Sequence, residues 1–116
     1  MYDFPADFDA SDLVGREVEL VSFTANTVVV AFEGYAITLL GRYTHDRDGV
    51  DAERIDVPPQ GSQLMRLVGT TIAAAAVEQD STLVLRFSNG DRLKCLADTK
   101  QYECYWIQTP TRLVVI

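Results

Sequence analysis

The chain has little of what most function classes require. Its 116 residues include two cysteines, one histidine, one tryptophan and four prolines. Cys95 and Cys104 are too few for a disulfide scaffold, and no CxxC or Cys/His grouping supplies four metal ligands. Reduced thiols, no metal and no cofactor are therefore expected. Long apolar runs are also missing. The longest, Val28 to Phe32 and Ile72 to Val77, fall far short of the roughly twenty residues of a membrane span, so no membrane partner is expected. The opening residues MYDFPADFDASD hold no basic region followed by an apolar one, so no secretory signal is read and a soluble, cytoplasmic protein is expected. Cations are the scarcer charge: ten Lys and Arg stand against seventeen Asp and Glu, for a net charge of −7. Nucleic-acid affinity depends on cations that displace phosphate counterions, so a nucleic-acid partner is not expected.

What is present suits one globular domain over residues 1–116, because 47% of the residues are apolar and the length falls in the usual domain range. An internal repeat organises it. Leu13-Val14-Gly15 is echoed fifty-four positions later by Leu67-Val68-Gly69. After the first triplet come β-prone runs at Val18 to Phe23, Thr27 to Phe32 and Ala36 to Leu40. After the second come Thr71 to Val77, Thr82 to Phe87 and Arg92 to Leu96. The repeats span 13–45 and 67–107, joined by an acidic loop at 46–61. Generic β-meander spacing is the competing explanation.

Leu83, Leu85 and Phe87 alternate with Val84 and Arg86, the period of a strand with one buried face. Asn89-Gly90 follows as a hairpin signal, since both residues tolerate the positive φ of primed turns. A further hairpin through Asp98 to Gln101 would set Cys95 opposite Cys104. It would group Tyr102, Cys104 and Trp106 on the inner face, and place Glu103 beside Lys94 or Arg92 as an ion pair. Ser11 and Ser62 are candidate N-caps for short helical turns that end at Gly15 and Gly69. The expected fold is mainly β: two repeated antiparallel meanders of seven or eight strands in a sandwich or partly open barrel, with one or two short helical turns.

The excess charge lies in two places. Residues 1–12 hold four acids and no base, and residues 46–56 hold five acids and two bases, which accounts for the whole net charge of −7. Both segments are expected outside the strands. Together they would form a negative surface for a basic protein partner, with Asp7, Asp9, Asp12, Asp46, Asp48, Asp51, Glu53 and Asp56 as the contact residues. Tyr35 or Tyr43 would serve as an aromatic anchor. Solvated loops that keep the protein soluble are the plainer alternative. The run Asp46 to Asp51 does not match a calcium loop, because Gly49 stands at the fourth position and not the sixth.

No catalytic constellation is legible. His45 would have to activate Cys95 or Cys104, yet nothing in the sequence joins them, and Cys95 falls in phase with buried Leu93. A non-enzyme is expected. The rival readings are a self-associating homodimer through open sheet edges and a small-ligand carrier with a pocket lined by Tyr102 and Trp106.

The segments Leu83 to Leu93 and Tyr102-Glu103-Cys104-Tyr105 resemble a group of small bacterial domains of unknown function, whose recurring pattern is approximately L-x-L-x-F-x-[DN]-G followed by Y-E-[SA]-[WY]. Cys104 departs from it, standing where Ser or Ala is usual. Similar proteins often accompany toxin genes, and some act as immunity proteins. The resemblance implies an immunity-type inhibitor that covers a basic effector.

Overall fold

The computed structural model describes residues 4–5, 7–46, 53–55 (backbone only), 63–97 and 103–116. Among them ten strands form two antiparallel five-stranded sheets. The first sheet has the order β1 (Val18–Phe23), β2 (Val28–Phe32), β3 (Tyr35–Leu39), β9 (Tyr105–Gln108), β10 (Leu113–Val115). The second runs β6 (Ile72–Val77), β7 (Leu83–Phe87), β8 (Arg92–Cys95), β4 (Tyr43–Asp46), β5 (Glu53–Ile55). This is a sandwich-like, mainly β fold.

Each sheet thus begins with a meander from one half of the chain and ends with a hairpin from the other. The further hairpin expected after β8 does not form: β9 pairs with β3, and β8 pairs with β4. Cys95 therefore faces Leu83 and Tyr43 across its neighbouring strands, not Cys104. Glu103 lies beside the other sheet from Lys94 and Arg92, and its carboxylate accepts a hydrogen bond from Trp106 Nε1 at 3.2 Å. The proposed ion pair is replaced by this contact. The inner face of β9 is also out of phase with the expectation. Cys104, Tyr105 and Ile107 are buried, whereas Trp106 points outward and is half-buried. Alternation breaks between Cys104 and Tyr105, which are both buried, and from Tyr105 onward it sends Trp106 outward and Ile107 inward.

The two halves correspond element by element. A four-residue 3-10 turn precedes each meander, Ala10–Leu13 and Leu64–Leu67. Gly15 and Gly69 end these turns at φ +87° and +88°, a left-handed conformation that glycine adopts without a Cβ penalty. Reciprocal hydrogen bonds then tie the halves together. Gly15 N–H donates to the Ile72 carbonyl at 2.7 Å, and Gly69 N–H to the Val18 carbonyl at 2.8 Å. Val18 N–H donates to Thr70 at 2.8 Å, and Ile72 N–H to Arg16 at 3.0 Å. Both first strands carry a bulge after their first residue, between Val18 and Leu20 and between Ile72 and Ala74. The cap of the first turn is Asp9 and not Ser11, whose backbone N–H donates to the Asp9 carboxylate at 2.9 Å. Gln63 flanks the second turn with no side-chain cap bond, and Ser62 lies outside the described residues.

Turn side chains do what their types favour. Thr24 and Thr109 hydroxyls accept N–H bonds from Thr27 at 2.9 Å and Arg112 at 3.0 Å, and Asp80 accepts from Thr82 at 3.1 Å. In the β7–β8 hairpin only Gly90 has positive φ. Gly90 N–H donates to the Phe87 carbonyl at 3.0 Å and Phe87 N–H to Asp91 at 2.9 Å. This is a type I turn closed by a glycine bulge, not a primed turn. The core between the sheets joins Leu13, Val30, Phe32, Ile37, Tyr43, Leu67, Leu85, Phe87, Leu93 and Tyr105, with Phe4 and Phe8 packed against it.

Candidate functional site

The structure gathers four of the residues selected from charge and aromaticity. Asp7, Asp9, Asp12 and Tyr35 line a cleft of about 230 Å³. Phe8 and the β9–β10 turn, Thr109 to Arg112, complete it. The cleft sits at one end of the first sheet, where the N-terminal arm passes the start of β3.

Its charges are partly engaged. Asp7 is held by Arg112 through two parallel N–H···O bonds of 3.1 and 3.3 Å. Asp9 caps the 3-10 turn and also accepts the Ser11 hydroxyl at 2.7 Å. These hydrogen bonds from the Ser11 side chain and backbone hold the Asp9 carboxyl below its ordinary value. The Asp12 carboxylate has no partner among the described residues, although its carbonyl accepts Arg16 Nε at 2.7 Å. Tyr35 stacks on Phe32, with centroids 6.0 Å apart and planes 5° from parallel. The Arg16 guanidinium lies 4.3 Å above the Tyr35 ring centroid, a cation–π arrangement. The cleft therefore offers one free carboxylate, two engaged ones and an aromatic wall whose ring already carries a cation.

The remaining selected residues do not join it. Tyr43 is wholly buried between β8 and β5. It is a core residue and not a surface anchor, because its strand turns that face inward. Asp46 ends β4 and forms an ion pair with Arg92 directly across the strand pair. The expectation that it belongs to a loop is thereby corrected. Glu53 begins β5, which places a strand inside the segment read as loop. Asp48, Asp51 and Asp56 lie outside the described residues. The strand register places Arg86, Arg92 and Lys94 on the outward face of the second sheet with Asp46. That outward face is basic, an arrangement that a neutral charge count over the framework conceals.

A second cluster was not read from the sequence. His45 Nε2 and Arg66 Nε each lie 2.8 Å from Oδ2 of Asp91. Asp91 and His45 are buried, and Asp91 Oδ1 has no hydrogen-bond partner. Asp91 reads as an exposed turn residue after Asn-Gly, but the glycine bulge turns it under Arg66. Only the alternation of His45 with buried Tyr43 pointed to an inward histidine. His45 is partnered by Asp91 and not by a cysteine. Cys95 is buried and its thiol is pushed up to about 12 by desolvation, the opposite of activation. Neither the cleft of Asp7 to Arg112 nor a second one lined by Ala74, Ala76, Val84 and Arg86 includes Trp106, and Tyr102 lies outside the described residues.

A family model described as a family of unknown function, DUF6188, matches residues 9–116. The chain belongs to DUF6188. No curated protein and no solved structure matches it. The DUF6188 match takes in both 3-10 turns, both sheets and all of the cleft except Asp7 and Phe8. Among the described residues of this DUF6188 chain, no helix is long and apolar enough to cross a membrane, and no group of three or more His, Cys, Asp or Glu is placed to hold a metal.

Proposed function

We propose that this DUF6188 domain is a non-enzymatic binding protein that receives a basic protein segment at the cleft of Asp7, Asp9, Asp12 and Tyr35. The observation that carries this reading is the convergence of three carboxylates and a tyrosine from separate segments on one concavity. A lysine or arginine entering it meets the free Asp12 carboxylate and competes with Arg112 for Asp7. Charge of this kind steers encounter and fixes register more than it supplies affinity. Phe8 and Pro110 provide apolar contact. The sharpest form of the reading is an immunity-type inhibitor that occludes a cationic effector, with the acidic segment containing Asp48, Asp51 and Asp56 adding to the field. The sequence resemblance supports that form. The corresponding turns, bulges and glycines of the two halves support their reading as two copies of one unit.

The test is capture of partners from a lysate of the source organism in low and high salt. A cationic protein released by salt, and lost when Asp7 and Asp12 become Asn, is the expected result. Recovery of no cationic protein, or capture that the double variant leaves unchanged, refutes the reading.

A further inference from the structure

The centre of the outward face of the first sheet carries no ionisable side chain; Glu19, at the β1 bulge, and Glu103, hydrogen-bonded to Trp106, stand at its margin. The register aligns two rows across its five strands: Leu20, Ala31, Ala36, Gln108 and Leu113, then Ser22, Val29, Thr38, Trp106 and Val115. All ten are exposed or half-buried, with Leu20 at 53% and Leu113 at 48% of full exposure. Twenty-seven of the 116 residues are charged, yet none falls on these rows, while the matching face of the second sheet bears Arg86, Arg92, Lys94 and Asp46. Apolar sheet faces of this extent mark interaction sites.

We infer that this face is the contact of a two-fold homodimer in which two copies pack sheet against sheet. Three observations select a second copy as the occupant. The first is charge. At net −7 two copies repel, so they join best where carboxylates are kept out of the centre of the contact, and these two rows meet that condition on both sides, with Glu19 and Glu103 at the margin. A charged partner finds nothing on it to complement.

The second is area. The molecule measures 31 × 28 × 25 Å and exposes 6201 Å², so one side holds roughly a sixth, about 1,000 Å², against the ~800 Å² per partner of a standard stable interface. The third is polar satisfaction. Trp106 Nε1–H already donates to Glu103, and the Gln108 amide donates to the Thr109 and Arg112 carbonyls at 2.9 and 3.0 Å. Burying these side chains leaves their donors paired.

Edge pairing is disfavoured by comparison. β5 and β10 are three residues long, and β1 and β6 are bulged, devices that blunt sheet edges. A dyad along β3 sets Trp106 of each copy opposite β2 of the other, where Val29 and Ala31 are the smaller outward residues.

Sedimentation of the full chain over a range of concentrations tests this, with the emission of Trp106, the sole tryptophan, as a second readout. A dimer of twice 12.9 kDa is expected, with emission shifting to the blue as it forms. Thr38→Asp, at the centre of the face, should weaken it by at least about 100-fold, since each tenfold is only ~1.4 kcal/mol and a buried unpaired charge exceeds that. Leu113→Glu, at an exposed rim position that cannot disturb the core, should weaken it in the same direction. Arg86→Glu on the other sheet and Asp12→Asn in the cleft should leave it unchanged, which keeps the dimer separable from the cleft reading. A monomer at every concentration up to about 200 μM, above the micromolar range of weak interfaces of this size, overturns the inference. So does a dimer that survives Thr38→Asp and Leu113→Glu, or one that Ala76→Lys on the β6 edge abolishes instead.

Discussion

The Tyr105 hydroxyl donates a 2.6 Å hydrogen bond to the carbonyl of Ser81. It ties the first sheet, which contains β9, to the β6–β7 turn of the second. Ser81 is the one non-glycine residue with positive φ among the described residues, at +66°. The bond satisfies a carbonyl that the turn buries, so the tyrosine and the strained serine form one device. Tyr105→Phe should destabilise the fold by about 1–3 kcal/mol, the cost of a buried acceptor left unpaired. Ser81→Gly should be neutral or stabilising by up to about 1 kcal/mol, because glycine adopts the left-handed region freely. Urea melts of both variants check the pair; a Tyr105→Phe melt equal to wild type refutes the first expectation.

Asp91 is wholly buried between His45 and Arg66. Removing the carboxylate leaves two donors without their acceptor, whereas removing the histidine leaves the carboxylate with Arg66 alone. Asp91→Ala is expected to cost about 3–5 kcal/mol and His45→Ala a comparable amount. The double variant should cost clearly less than the two losses added, since each single change strands the residue that the other removes. Strict additivity in denaturant midpoints argues against a coupled pair.

Burial raises Cys95 from its ordinary value of 9.0 to about 12, and desolvation likewise raises Tyr105, helped by the neighbouring Cys95 and Cys104. A raised value means that the folded state keeps a proton the unfolded chain releases. The contribution of Cys95 is therefore complete below pH 9.0 and is lost as pH climbs from 9.0 towards 12. Stability should fall above pH 9 by up to about 1.4 kcal/mol per pH unit for each such group. Thermal melts at pH 8, 9.5 and 10.5 test the sign. At pH 8 in native buffer, Cys95 should resist alkylation until the chain unfolds.

Gly15 and Gly69 occupy equivalent turns at φ +87° and +88°, and a Cβ at either would meet nothing within 4 Å. Any cost of alanine there comes from backbone conformation alone. Gly15→Ala and Gly69→Ala should each lose about 1–2 kcal/mol and lose it equally. A large difference between them would mean that the two turns are not energetically equivalent.

The local grammar was legible in the sequence. Alternation at Leu83 to Phe87 and the glycines after each Leu-Val pair act through neighbouring backbone dihedrals, and each produced the element it specified. The cleft was half legible. Asp7, Asp9, Asp12 and Tyr35 were selected by charge and ring, but their meeting depends on the arm crossing the start of β3. Tyr43 was misjudged because a tyrosine near a charged segment looks the same whether its strand faces in or out.

Partner choice among strands was decided only in three dimensions. β8 and β9 follow one another in the chain, yet burying Cys95 against Tyr43 and Tyr105 against Leu39 required them to enter different sheets. Burial of both Cys104 and Tyr105 broke the alternation at the start of β9 and sent Trp106 outward. The sequence alone determined that the acidic excess falls in residues 1–12 and 46–56. Only the assembled sheets sorted the framework's own charges, leaving one outward face basic and the centre of the other without charge, because strand register and not sequence distance decides which side chains share a surface.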